Sequence, residues 1–200
     1  MNELTLAERN DALLRLLDRL RHDIDVNRTI SLNADRLNKS DIDAGPFVGY
    51  LQKATLESIS IYICKIYEPE GTRYLLNSIP AISAALAPYE FTETVATELA
   101  TFGRAHAPQV SVAPTVEYLR SICSSKLSSR ADVIDRFKTF RDKIGAHSES
   151  GVSISALPSH AIFEDMFRFG LGFYKFVRVI IGGSGRPLLV PLLIPRSFGF

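Results

Sequence analysis

Two cysteines are all that this 200-residue chain carries, Cys64 and Cys123, each inside an apolar, helix-like stretch. A pair so isolated makes neither a disulfide framework nor a zinc site. Long apolar runs are also missing. Spanning a bilayer takes about 18 consecutive apolar residues; FVRVII is too short, and PLLVPLLIP is interrupted by proline. The start, MNELTLAERNDALL, lacks the charged-then-apolar order of a secretory signal. The expected setting is therefore cytoplasmic, with no membrane partner. Paired strands, a βαβ rhythm and internal repeats are absent from the pattern. The four histidines, His22, His106, His147 and His160, show no ligand spacing with cysteine or acidic residues, so neither metal nor cofactor is expected. The stretch GGSGRP follows a helix and lacks the Gly-Lys-Ser/Thr ending of a phosphate loop.

What is present is a globular composition, 46% hydrophobic and 22% charged, long enough for one domain with a real core. The net charge of +1 argues for no particular partner. Its distribution is less even. Residues 1–100 carry 10 basic against 15 acidic side chains, and residues 101–200 carry 13 against 7. Such a split permits a basic face for a polyanion, whereas a bundle that interleaves the two halves cancels it.

Apolar residues at Leu13, Leu17, Leu20, Ile24, Ile30, Ala34 and Leu37 keep a three-four spacing, which predicts an amphipathic helix from about Thr5 to Leu37. Pro46 suits the first turn of a second helix, apolar nearly all round from Leu56 to Tyr67 and stopped by Glu68-Pro69-Glu70-Gly71. Ile59, Ile61 and Ile63 also alternate as in a strand, but the length of the segment favours helix. Shorter helical pieces follow at about 80–87, 91–106 and 114–127. A helix from about Arg130 to Ala146 is expected to use Ser128 or Ser129 as its cap and Val133, Phe137, Phe140 and Ile144 as its core stripe. A last, aromatic-rich helix runs over about 160–181, with Gly170 and Gly172 letting another backbone approach. Prolines at 187, 191 and 195 make the final residues extended and apolar. The expectation is all-α: an up-and-down bundle of four to five main helices over residues 1–185, and a proline-rich tail, 186–200, packed on the bundle or on a partner.

The segment FRDKIGAHSE places Arg141 and His147 six positions apart at a helix end. By composition, an Arg followed by His after four to six intervening residues arises about once by chance, and Arg15 with His22 is indeed a second match. Context separates them: Arg15 precedes Leu16 in mid-helix, Arg141 precedes the polar Asp142 near a helix end. Positions three and four away from Arg141 are Phe137, Lys138, Ile144 and Gly145, none acidic, so no salt bridge at helical spacing accounts for it.

In that context RDKIGAH, residues 141–147, resembles the Arg-polar-x4-His motif of the HEPN superfamily. DRFKTFRDKIGAHSE and SIYICKIYEP are similar to its abortive-infection, AbiU-like branch. The specific likeness covers about a dozen residues, and the helical arrangement fits from about 5 to 181. The resemblance implies a metal-independent endoribonuclease acting in phage defence or a toxin–antitoxin system. It also implies a homodimer with two motifs in one cleft, an RNA substrate, and an antitoxin protein as a further partner. Glu149 stands where relatives modified by a nucleotidyltransferase antitoxin carry a tyrosine, which takes support from that route of control.

The chemistry suits these residues. His147 can move protons near neutral pH, Arg141 can hold a phosphate with its planar fork, and Asp142 can orient either one. Lys138, Lys143 and Lys65 are candidate RNA contacts, and Lys126, Arg130 and Arg136 extend the same basic group. Plainer readings stand beside these: a histidine favoured by a helix C-terminus, a solvated charged face, and a HEPN-type fold that binds RNA or protein without turnover. Six helical steps turn about 600°, leaving Arg141 and His147 about 120° and 9 Å apart. Either Gly145 ends or bends the helix, or two subunits pool their motifs about a twofold axis.

Overall fold

The computed structural model describes residues 4–38, 45–69, 77–89, 91–113, 115–147 and 158–182; of residues 37–38 and 143–147 only the backbone is described. It is all-α. The helices are α1 (Leu6–Asn38), α2 (Gly45–Tyr67), α3 (Ile79–Ala85), α4 (Glu93–His106), α5 (Val116–Ser128), α6 (Ala131–His147) and α7 (His160–Gly182).

Seven helices among the described residues correct the expected four to five. The three short ones are full parts of the core. Ser78, Thr92 and Thr115 each accept a hydrogen bond from a backbone N–H of the first turn of α3, α4 and α5. Each helix then buries its own face, Ile79 and Ile82 from α3, Leu99 and Phe102 from α4, Leu119 and Ile122 from α5. Among the four long helices, α1 meets both α2 and α7, and α2 meets α6. The described chain ends at Gly182 with no extended apolar span; the expected tail, 186–200, lies outside the described residues.

Helix α1 opens with a capping box. The Thr5 hydroxyl accepts from the Glu8 N–H, and the Glu8 carboxylate accepts from the Thr5 N–H at 2.8 Å. Its stripe of Leu13, Leu17, Leu20 and Ile24 is fully buried, each side chain worth roughly 1.5–3 kcal/mol of burial. At the next step the stripe turns polar. Asn27 is buried and donates to the Gln52 carbonyl and the Thr55 hydroxyl of α2. Beyond it, where the sequence pattern continues through Ile30 and Ala34, nothing in 28–36 is buried.

Helix α7 supplies the largest share of the aromatic core, with Phe163, Phe169, Phe173 and Phe176 buried. It runs antiparallel to α1: Asn10 donates to the Tyr174 carbonyl, a Cβ on Gly170 would press on Leu17, and Arg21 pairs with Glu164 at 3.0 Å. Gly170 and Gly172 of α7 thus admit side chains, not a backbone: Leu17 at Gly170, Phe102 and His106 at Gly172. Arg21–Glu164 and Asp11–Arg178 join the acidic first half to the basic second half, so the halves interleave.

Helix α6 begins after a two-residue turn. Ser128 lies inside α5 and Ser129 terminates it, its hydroxyl donating to the Lys126 carbonyl, so neither is the expected cap of α6. Val133, Phe137 and Phe140 are buried as the stripe requires; the Ile144 side chain lies outside the described residues.

Candidate functional site

The motif helix is placed by α2 and α7. Ile134 packs in one closed volume with Tyr67 and Met166, Phe137 meets Phe163 at 5.7 Å between ring centroids, and Lys138 and Arg141 exert their charge at Cys64. Along these steps α6 moves toward lower residue numbers on both neighbours, so it runs antiparallel to each. Arg141 and Asp142 stand at its outer end.

Arg141 is not without an acidic partner. Its Nε donates to Asp142 Oδ1 at 2.9 Å and its Nη2 lies 2.9 Å from the same oxygen, with the two side chains 38% and 63% exposed. This overturns the expectation that no local salt bridge accounts for Arg141, which excluded Asp142 because its spacing does not put it on the same face. The long guanidinium stem instead folds along the helix surface onto the next residue. Asp142's hydrogen bond raises the Arg141 pKa further, against a smaller opposing effect of burial. Arg141 therefore stays charged, with its guanidinium lying on the Asp142 carboxylate.

Around this pair lie Glu68 and Cys64 from the end of α2, both electrostatically coupled to Arg141. Burial pushes the Cys64 thiol up, and Arg141 and Lys138 pull it back. Lys138, one turn before Arg141, is half-exposed and 3.4 Å from Asp135. Lys65 is exposed at the end of α2. His147 is the last residue of α6, and the helix runs unbroken through Gly145 to reach it. The His147 and Lys143 side chains lie outside the described residues, as does all of Glu149.

The wider basic group separates into two kinds. Lys126 is buried, 8% exposed, with Nζ 2.6 Å from Asp165 Oδ1 and over the Phe169 ring; Arg130 donates twice to Asp165 Oδ2, at 2.9 and 2.7 Å. Burial opposes ionisation of Asp165, but the hydrogen bonds from Lys126 and Arg130 outweigh it and hold the carboxyl below its ordinary value. These two cations fasten α5 and the turn after it to α7 and do not face a ligand. Arg136 is exposed and paired loosely with Asp132 at 3.4 Å. Sequence reasoning missed the Asp165 cluster, because its members are 35 and 39 positions apart and no spacing rule joins them.

His106 packs edge-on to Phe169 and against Phe102, where burial and then Lys126 lower its pKa. His22, the histidine of the second Arg–His match, lines a shallow groove of about 350 Å³ with Asp18, Arg19, Asp23 and Tyr62, without Arg15. Among the described residues, no group of three His, Cys, Asp or Glu side chains is placed to hold a metal ion, and no helix is long and apolar enough to cross a membrane. No protein family, curated protein or solved structure matches this chain.

Proposed function

We propose that the chain is a metal-independent endoribonuclease of the HEPN type, a cytoplasmic homodimer acting in phage defence or a toxin–antitoxin system. The observation that carries this reading is the Arg141–Asp142 pair: a charged fork, held in orientation by its neighbour, on the outer end of the helix that His147 closes. In the reaction, the RNA 2′-hydroxyl gives its proton to His147 and attacks the adjacent phosphate, the P–O5′ bond breaks to leave a 2′,3′-cyclic phosphate, the departing 5′-oxygen takes a proton from His147 or water, and Arg141 steadies the charge that develops on the phosphate oxygens. Because α6 continues as helix through Gly145, the backbone positions of Arg141 and His147 in one copy lie about 120° apart around the helix axis. Pooling two motifs about a twofold axis is the remaining way to aim both at one phosphate. Lys138, Lys143 and Lys65 hold the RNA backbone on either side, and an antitoxin protein restrains the site.

A second reading draws on the same ion pair. A guanidinium already bonded to a carboxylate binds anions less strongly, which favours a module that holds RNA or protein without turnover. Incubating a mixed RNA pool in EDTA with wild type, Arg141→Ala and His147→Ala separates the two. The ribonuclease reading expects products with cyclic phosphate ends from wild type and none from either variant. Folded, dimeric wild type that leaves the RNA intact refutes it.

A further inference from the structure

Residues 45–55 of α2 include no buried position. Two aromatic side chains stand there in water, Phe47 63% exposed and Tyr50 68%. They are three apart, so their rings follow one another along one side of the helix. Lys53, three further on and with its side chain 56% exposed, continues the series; its ammonium lies 3.9 Å from Glu57, a loose contact. Each step turns this band by about 60° and advances it by about 4.5 Å. Lys53 is eleven residues from Cys64, about three full turns, so the two share a face of α2. Cys64 feels the charge of Arg141, so that face is the one α6 lies against. From there α6 runs six residues further, antiparallel to α2, and the backbone of His147 ends about 8 Å short of Lys53 along the axis. Phe47, Tyr50 and Lys53 thus form a track from the outer end of α2 toward the closing end of the motif helix.

We infer that this track holds single-stranded RNA, with bases stacked on Phe47 and Tyr50, a phosphate at Lys53, and the strand continuing to the end of α6. Surfaces that hold single strands join aromatic rings to a positive field, and the rings are open only to unpaired bases. Both parts are present. Among the described residues at this end of α1 and α2, Arg28, Arg36 and Lys53 outnumber Asp35, so the field is basic. There is also room beside the rings: a Cβ added to Gly49, next to Tyr50, would meet nothing within 4 Å. Position gives the contact a purpose. Arg141 and His147 act on one phosphate and give the rest of the strand little to rest on, whereas a stacked segment beside them fixes which phosphate arrives. The choice of RNA among polyanions rests on the proposed ribonuclease reading; the exposed rings and the basic field do not.

The test is fluorescence anisotropy of a labelled single-stranded RNA of mixed sequence, 2′-O-methylated throughout so that it cannot be cut, at several salt concentrations. Wild type is compared with Phe47→Ser/Tyr50→Ser, Phe47→Tyr/Tyr50→Phe and Lys53→Gln. Sedimentation equilibrium of each protein and cleavage of unmodified RNA are followed alongside. All three positions are exposed, so the variants keep the helical circular dichroism of the wild type. The serine pair is expected to weaken binding on the order of a hundredfold without changing its salt dependence, and the exchanged aromatic pair to bind as wild type does. Lys53→Gln is expected to reduce the slope of log affinity against log salt by about 0.7, one phosphate of a single strand; an unchanged slope overturns the phosphate contact. Wild type that leaves the RNA unbound, or a serine pair that binds as tightly as wild type, overturns the track. So does a serine pair that loses RNA binding together with protomer association, because the rings then serve a protein contact. Binding that depends on the rings, in a protein that cuts no RNA, upholds the track and refutes the ribonuclease reading alone.

Discussion

Removing Asp165 should cost the fold more than any other single exposed or half-exposed carboxylate. Its loss leaves Lys126, 8% exposed, with an ammonium and no counter-charge. Breaking a buried pair from one side costs about 3–5 kcal/mol. Here Asp165 is itself about a third exposed, and Arg130, equally exposed, can turn to water, so Asp165→Ala is expected to cost about 2–3 kcal/mol. For a chain of this size that is roughly 5–10 °C in Tm. Lys126→Met removes the charge and fills the space, leaving Asp165 with Arg130, and should cost about 1 kcal/mol or less. The double variant should then be no worse than Lys126→Met by more than a few tenths of a kcal/mol. Urea unfolding of the four proteins measures the cycle. Because the folded pKa of Asp165 is lowered, its contribution is complete above the unfolded value near about 4 and is lost as pH falls through the lower folded value. The deficit of Asp165→Ala should shrink accordingly in acid. Additive single costs, or an Asp165→Ala penalty below about 0.5 kcal/mol, refute the claim that Lys126 depends on Asp165.

Asp142→Asn weakens the orientation of Arg141 without removing it, so it should lower RNA cleavage by about tenfold, against a loss of about a thousandfold for Arg141→Ala; equal effects in single-turnover assays refute an orienting role. His106 has a lowered folded pKa, so the stability it contributes is present above about pH 6.5 and lost as pH falls through the folded value; His106→Phe should flatten that part of the pH profile, measured by thermal melts between pH 7 and 5. A Cβ at Gly103 would meet the buried Tyr118 hydroxyl, so Gly103→Ala should destabilise by about 1–3 kcal/mol in urea, and the paired change Tyr118→Phe should restore part of it.

The spacing of apolar residues marked the first helix and the core stripe of α6, because each of these helices buries one stripe, whereas α2 was marked by its length and its nearly all-round apolar surface. It could not rank them. The short α3–α5 region read as subsidiary pieces, although Ile82, Leu99 and Ile122 are as deeply buried as anything in α1. Nor does spacing reveal where burial stops: the stripe of α1 continues through Ile30, but burial ends where α1 runs past the neighbouring helices. At the candidate site, the helix end at 147 was legible and the Asp142 contact was not. Rules for helical pairs cover residues three and four apart, so a contact between an arginine and the residue next to it falls outside them. Lys126 and Arg130 looked like members of a solvent-facing basic strip because their partner, Asp165, lies on another helix.

The pairing of the first helix with the last has a consequence during synthesis. Asn10 waits for the carbonyl of Tyr174, 164 positions later. At roughly 5–20 residues per second, a ribosome takes on the order of 10–30 s to deliver that partner. For about the last two-thirds of this interval, once Tyr67 has been made, the α1–α2 hairpin is complete but its leucine stripe lacks one wall. The nascent chain is then at its stickiest, and docking of α7 is the step that ends its exposure.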